Sequence, residues 1–299
     1  MSVSVDRGPT ELGVPKELVQ QRYSQLMNAS ITLLAYDHAT SLGDEIEYFW
    51  KGPWNLSRCL YLGIRCLALV YVIIQLWVDF DSPAFASAMI ATSLTMILLG
   101  LLCQAALTIR VWYLFPKYPL IRTSVVSAYV SCTIATCVVI GLSEKYIYAD
   151  THSTTVNQDG ASVIAAIYIP FLVLDIFLFV LKVYMLATSP AYMKRDTFVS
   201  RFMKEGMVMF AVNIGALVFS VVDLTMTPVS NLPTYTVALS GSVAVTTSVL
   251  SVCRPMLSLH SLAATHGVSP CWLFSRAELS RVDWTEGTKD GEILVEVEL

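Results

Sequence analysis

Apolar residues run in long blocks along this chain, and short polar or proline-bearing segments separate them. A helix that crosses the hydrocarbon core of a bilayer needs about 20 mainly apolar residues. The pattern predicts spans over about 23–42, 56–78, 85–109, 123–143, 161–187, 206–227 and 234–253. The third is the clearest, because Ser82 to Ile109 carries no charge. It leads into Arg110-Val111-Trp112-Tyr113, a basic and aromatic anchor of the kind that sits at headgroups. The second holds Arg65 in its first half, the fifth holds Pro170, Asp175 and Lys182, and the sixth holds Asp223 near its end. The first is the weakest, since Gln25, Asn28, Asp37 and His38 interrupt it. The expectation is an all-α integral membrane protein, a seven-transmembrane-helix bundle, or six spans if the first segment is an interfacial helix.

Outside 23–253, residues 1–22 read as a flexible tail, and 254–299 read as a second tail, acidic at its end. The segment between the first two spans reads as a loop that contains Asp44, Glu45, Glu47, Trp50 and Lys51. Glu144 to Gly160 reads as a polar loop. Met1 to Gln21 lacks the apolar core of a cleavable signal peptide, so the first span is expected to direct insertion.

Composition sharpens the membrane reading. Only 14% of the 299 residues are charged, against about 25% in soluble domains. The net charge of −4 and the absence of a long basic run give no sign of a nucleic-acid partner. None of the seven cysteines has CxxC spacing, so neither a zinc site nor a disulfide framework is expected. Cys253 and Cys271 flank the start of the tail; they are candidates for palmitoylation, the alternative being two unmodified thiols.

Charge also sets an expected orientation. The segments after the third and fifth spans hold Arg110, Lys117, Arg122, Lys194, Arg195, Arg201 and Lys204, whereas the opposing loops hold only Lys145. Lys and Arg collect on the cytoplasmic side. Alternation then puts the C-terminal tail in the cytoplasm and, with seven spans, the N-terminus outside or in a lumen. Arg7, Lys16 and Arg22 argue weakly against export of that end.

Few residues could carry chemistry. Asp175 and Lys182 are seven apart, close to two helical turns, so they share a face about 10 Å apart. Asp175 is the deeper of the two and the better pocket candidate, while Lys182 is expected to snorkel to the cytoplasmic headgroups. Arg65 is expected to pair with Asp37 or Glu45 or to reach the interface; Asp223 reads as an interfacial carboxylate. Arg65, Gln104 and Asp175 form the candidate polar pocket. The acids near His38 match no metal-ligand spacing such as HExxH, so no catalytic, cofactor-binding or metal residue is assigned and no cofactor is expected. They read instead as a membrane-interface clamp meeting Arg58, Arg65 or Lys51, with Tyr48, Phe49, Trp50 and Trp54 at the headgroups. No lysine lies between Glu205 and Lys289, which leaves the last span without a Schiff-base candidate and disfavours a retinal protein.

One set of residues carries a resemblance. Tyr36-Asp37, Leu42, Glu45-Ile46-Glu47, Trp50-Lys51, Trp54 and Leu60-Tyr61 resemble the signature of an N-terminal domain of unknown function. That domain belongs to a family of multi-pass membrane proteins of basidiomycete fungi. Arg110, in Ile109-Arg110-Val111-Trp112, is similar to the family's third-helix exit, and Arg254, in Ser251 to Leu259, to its last-helix exit. Cys66 and Pro255 depart from the family pattern. The resemblance implies a seven-helix fungal membrane protein of unestablished function and supplies no catalytic residue. The expected function is receptor-like or sensory, with a small-solute or ion transporter or channel as the alternative and an enzyme least favoured. The expected partners are the lipid bilayer and a cytoplasmic protein that meets the loops and tail.

Overall fold

Long runs of Leu, Ile, Val and Ala without a charge leave the backbone one way to satisfy its own hydrogen bonds in lipid, the continuous α-helix. The computed structural model describes residues 16–50, 56–77, 85–115, 118–152, 158–188, 197–226, 241–265, 282–286 and 293–297. Its helices are α1 (Lys16–Glu45), α2 (Leu56–Trp77), α3 (Phe85–Leu114), α4 (Pro119–His152), α5 (Gln158–Thr188), α6 (Thr197–Met226) and α7 (Ser242–Thr265). Six of them, α2 to α7, are long and apolar enough to cross a membrane, so the chain is a multi-pass membrane protein.

Each helix packs on its neighbour in sequence, and α7 returns to pack on α1 and α2, which closes the bundle. Helix α3 also touches α5 and α7 and so sits toward the middle. Burial and polarity run together. The α7 span is 61% buried with a mean hydropathy of 1.3, whereas the α4 span is 11% buried with a mean hydropathy of 2.1. The helix that faces its fellows tolerates polar side chains, and the helix that faces outward is apolar, because polar groups in a bundle must find partners inside it.

Several boundaries differ from the sequence expectation. Residues 16–22 belong to α1, not to a flexible tail. The segment read as the first loop is helical as far as Trp50: α1 runs to Glu45, and Ile46–Trp50 form one turn of wider π-helix. The segment read as a polar loop after the fourth span is helical to His152. The last helix continues through Arg254 and Pro255 to Thr265. The C-terminal tail contains an antiparallel hairpin, β1 (Val282–Glu286) with β2 (Ile293–Val297), in which Trp284 faces Val295 in register. Lys51, Trp54, Lys194, Lys117 and Cys271 lie outside the described residues.

Candidate functional site

Helix α1 buries one row of polar residues, while Gln25, Asn28, Thr32, Thr40 and Asp44 are exposed. Leu34, Asp37, Ser41, Glu45 and Phe49 are all buried and are spaced by three or four, which makes them one stripe. On the opposite side Leu33, Tyr36, Leu42 and Ile46 are exposed. A helix in water would show the reverse arrangement.

Arg65 of α2 sits at the centre of this stripe, 3% exposed. Its Nη1 donates to Asp37 Oδ2 at 2.6 Å, its Nη2 donates to Ser41 Oγ at 2.7 Å, and its Nε lies 2.8 Å from Glu45 Oε1. Tyr61, one turn earlier on α2, donates its hydroxyl to the same Glu45 oxygen at 2.9 Å. Asp37 spends its other oxygen on α7, where Arg254 Nε donates to Oδ1 at 2.7 Å. His38 caps the far side: Nε2 lies 3.2 Å from the Arg65 carbonyl, and Nδ1 lies 3.2 Å from Arg65 Nη1 and 3.1 Å from the Leu34 carbonyl. Two carboxylates and two guanidinium groups balance in charge, and the buried carboxylates have partners. That is the condition under which buried charge is tolerated.

The π turn that follows places Phe49 under this cluster. Its ring is fully buried, stacks on Tyr61 of α2 with centroids 3.8 Å apart, and meets His260 of α7 at 4.4 Å. Phe49 is therefore a packing residue of the bundle rather than an interface aromatic, and the expected clamp at the headgroups is an internal knot. Trp50, by contrast, is exposed, as are Tyr36 and Glu47. Arg58 donates to the Tyr48 carbonyl at 3.2 Å, holding the π turn to the start of α2. Arg110 of α3 donates to the Val252 carbonyl of α7 at 2.5 Å. This contact braces α7 beside Pro255, whose missing N–H deprives the Ser251 carbonyl of its helical partner.

A second polar group lies deeper, between α3, α5, α6 and α7. It lines a cavity of about 40 Å3 whose walls are otherwise apolar. Asp175 of α5 is 1% exposed; Oδ2 accepts from Asn213 Nδ2 of α6 at 2.6 Å, and Oδ1 has no hydrogen-bond partner among the described residues. Asn213 Oδ1 in turn accepts from Ser248 Oγ of α7 at 2.8 Å. Gln104 of α3 donates through Nε2 to the Phe171 carbonyl at 2.9 Å. Gln104 and Asp175 thus share one cavity, whereas Arg65 belongs to the α1–α2–α7 cluster.

Three other expectations are corrected. Lys182 lays its ammonium over the Phe210 ring, 3.8 Å from the centroid, instead of reaching for headgroups. Asp223 is buried in the bundle at 8% exposure rather than lying at an interface. Cys253, a palmitoylation candidate, is fully buried and so closed to an acyl group.

Sequence reasoning missed Ser41, Tyr61, His260, Asn213 and Ser248. The only signal for the first was its place on the 37–41–45 stripe; Asn213 and Ser248 are neutral polar residues in apolar spans and stand out from nothing around them.

No curated protein and no solved structure matches this chain. Residues 25–70, which supply Asp37, His38, Ser41, Glu45, Phe49, Tyr61 and Arg65, match the family of unknown function DUF6533.

Proposed function

We propose that this multi-pass membrane protein is a receptor-like or sensory protein with seven spans, its N-terminus outside or lumenal and its C-terminus cytoplasmic. The observation that carries the reading is the Asp37–Arg65–Glu45–Arg254 cluster, which joins the first, second and last helices at one end of the bundle. A bundle that reports an outside event needs a contact with two states at its inner end. The Asp37–Arg254 pair suits that role, because Asp37 is buried while the Arg254 side chain is 47% exposed and open to a competing partner. The acidic tail and the basic loops are the surfaces such a partner would meet.

The inside-out polarity of α1 supports the seventh span. Asp37 and Glu45, two of the charges that lower its hydropathy, are turned inward and neutralised, and Leu33, Tyr36, Leu42 and Ile46 are among the residues it offers to lipid. Its signature resembles that of basidiomycete membrane proteins, a source consistent with this architecture.

The alternative is a transporter or channel for a small solute or ion, favoured by the buried Asp175 in its cavity. Purified protein in vesicles free of other proteins separates the two. The receptor-like reading expects no solute movement and a changed environment for a fluorophore on exposed Ser258 when Arg254→Gln opens the pair. Accumulation of a solute in those vesicles would replace it with the transporter.

A further inference from the structure

The polar side chains around the α3–α5–α6–α7 cavity bond mainly to one another and to the backbone. Asn213 Nδ2 donates to Asp175 Oδ2, Gln104 Nε2 donates to the Phe171 carbonyl, and the Ser248 hydroxyl donates to Asn213 Oδ1. Each amide keeps a second N–H, and the acceptors that line the cavity are the unpartnered Asp175 Oδ1, the Gln104 amide oxygen and the lone pairs of Ser248. A buried carboxylate oxygen needs a counter-charge or a proton. Among the described residues no cation makes a direct ion pair with Asp175; Lys182, further along α5, acts on it only from a distance and lies over the Phe210 ring.

Size and charge narrow the occupant. A water requires roughly 10–15 Å3 of such space, so a cavity of about 40 Å3 takes about three water-sized bodies. That excludes a drug-sized ligand, which needs at least about 300 Å3. One carboxylate balances one positive charge, and no group of three His, Cys, Asp or Glu suited to a metal occurs among the described residues. Hard, neutral oxygens beside a single carboxylate suit a hard cation of low charge.

We infer that this cavity binds a sodium ion, held by Asp175 Oδ1, Gln104 Oε1 and Ser248 Oγ and completed by one or two waters. Asn213 is a positioning residue: it holds Asp175 through Nδ2 and Ser248 through Oδ1. The site stands whether the protein is receptor-like or a transporter, because it depends on the cavity alone.

The test is equilibrium binding of radioactive sodium to the full-length protein in detergent, with choline chloride keeping ionic strength constant. Thermal unfolding is followed in parallel, since a ligand that binds only the folded state raises its stability in a saturable way. The expected result is saturable sodium binding and a matching rise in the unfolding midpoint. Asp175→Asn should abolish both, and Asn213→Ala should weaken binding about 10- to 100-fold, the range found for residues that orient a metal ligand. Ser248→Ala, a small change on α7, should weaken it measurably and keeps the test open if the Asp175 variant does not fold. Absence of saturable binding in the parent, or binding unchanged in a folded Asp175→Asn or Ser248→Ala variant, would overturn the site.

Discussion

Asp37 and Arg254 lie 217 residues apart in the chain, yet Arg254 Nε is 2.7 Å from Asp37 Oδ1. The contact ties the helix that opens the described bundle to the last one. Its two ends are unequal: the Asp37 side chain is 2% exposed and that of Arg254 is 47% exposed. Water screens the exposed end, so the pair should be worth little by itself. A double-mutant cycle with Asp37→Asn and Arg254→Gln should give a coupling near the lower end of about 0.5–3 kcal/mol. Reversible unfolding of the purified protein measures it, and a coupling of zero would mean that the two side chains do not depend on one another.

Arg65 is a different case, because both of its carboxylate partners are buried with it. Removing it leaves Asp37 with the half-exposed Arg254, and leaves Glu45 with only the Ser41 and Tyr61 hydroxyls among the described residues. Arg65→Met should therefore destabilise the protein by about 3–5 kcal/mol, the usual cost of stranding a buried charge. Arg65→Met combined with Glu45→Gln should recover part of that loss, since one stranded carboxylate is then neutral. A double variant no more stable than Arg65→Met would show that the cost is packing and not charge.

Phe49 is a buried ring held between Tyr61 and His260 on two other helices. Phe49→Ala should cost about 3–5 kcal/mol through the cavity it leaves, and Phe49→Leu clearly less. The same unfolding assay ranks them. Equal costs for the two would place the ring's contribution in its stacking on Tyr61 rather than in the volume it fills.

Gly241 opens α7 with φ of +63°, a left-handed conformation, and a Cβ there would stand 2.8 Å from the Tyr168 hydroxyl and would overlap Met96 Sδ. Gly241→Ala thus meets two obstacles, roughly 1–2 kcal/mol from the backbone and a separate clash with the side chains. Met96→Ala in the same chain should relieve the overlap with Met96 and leave the Tyr168 contact and the backbone part. Full recovery in the double variant would show that α7 begins in another conformation when Gly241 is replaced.

The spans were legible because hydropathy is a local property: any window of the chain reports it. Arg65 in the first half of the second span also pointed by itself to an acidic partner, and Asp37 and Glu45 were near enough in sequence to be considered. Arg254 was not, since its place beside Asp37 depends on α7 closing against α1. The π turn at Ile46–Trp50 left no local mark either. Acidic and aromatic residues there read as a loop at the headgroups, when the wider turn carries Phe49 inward. The cavity escaped for a third reason. Only Asp175 bears a charge, and Gln104, Asn213 and Ser248 gain meaning from the hydrogen bonds that orient them around the cavity.

The first helix decides the topology, and its two descriptions make opposite forecasts. By hydropathy α1 falls short of the helices that can cross a membrane, since the six that qualify begin with Leu56–Leu76. By its packing it suits lipid better than its hydropathy does, because Asp37, Ser41 and Glu45 are buried against α2 and α7 and Leu33, Tyr36 and Leu42 face out, beside the polar Asn28, Thr40 and Asp44. Neutralised, inward charges remove much of the penalty that a hydropathy average assigns to them. An epitope at each terminus of the full chain, probed in intact and permeabilised cells, tests the point. Seven spans predict an N-terminal epitope reached from outside and a C-terminal epitope reached only after permeabilisation. Both epitopes protected in intact cells would leave α1 on the cytoplasmic face and six helices across the membrane. In that case Asp37→Leu should do little harm to insertion, whereas with seven spans it leaves the buried Arg65 with Glu45 as its one carboxylate partner among the described residues and lowers the yield of folded protein.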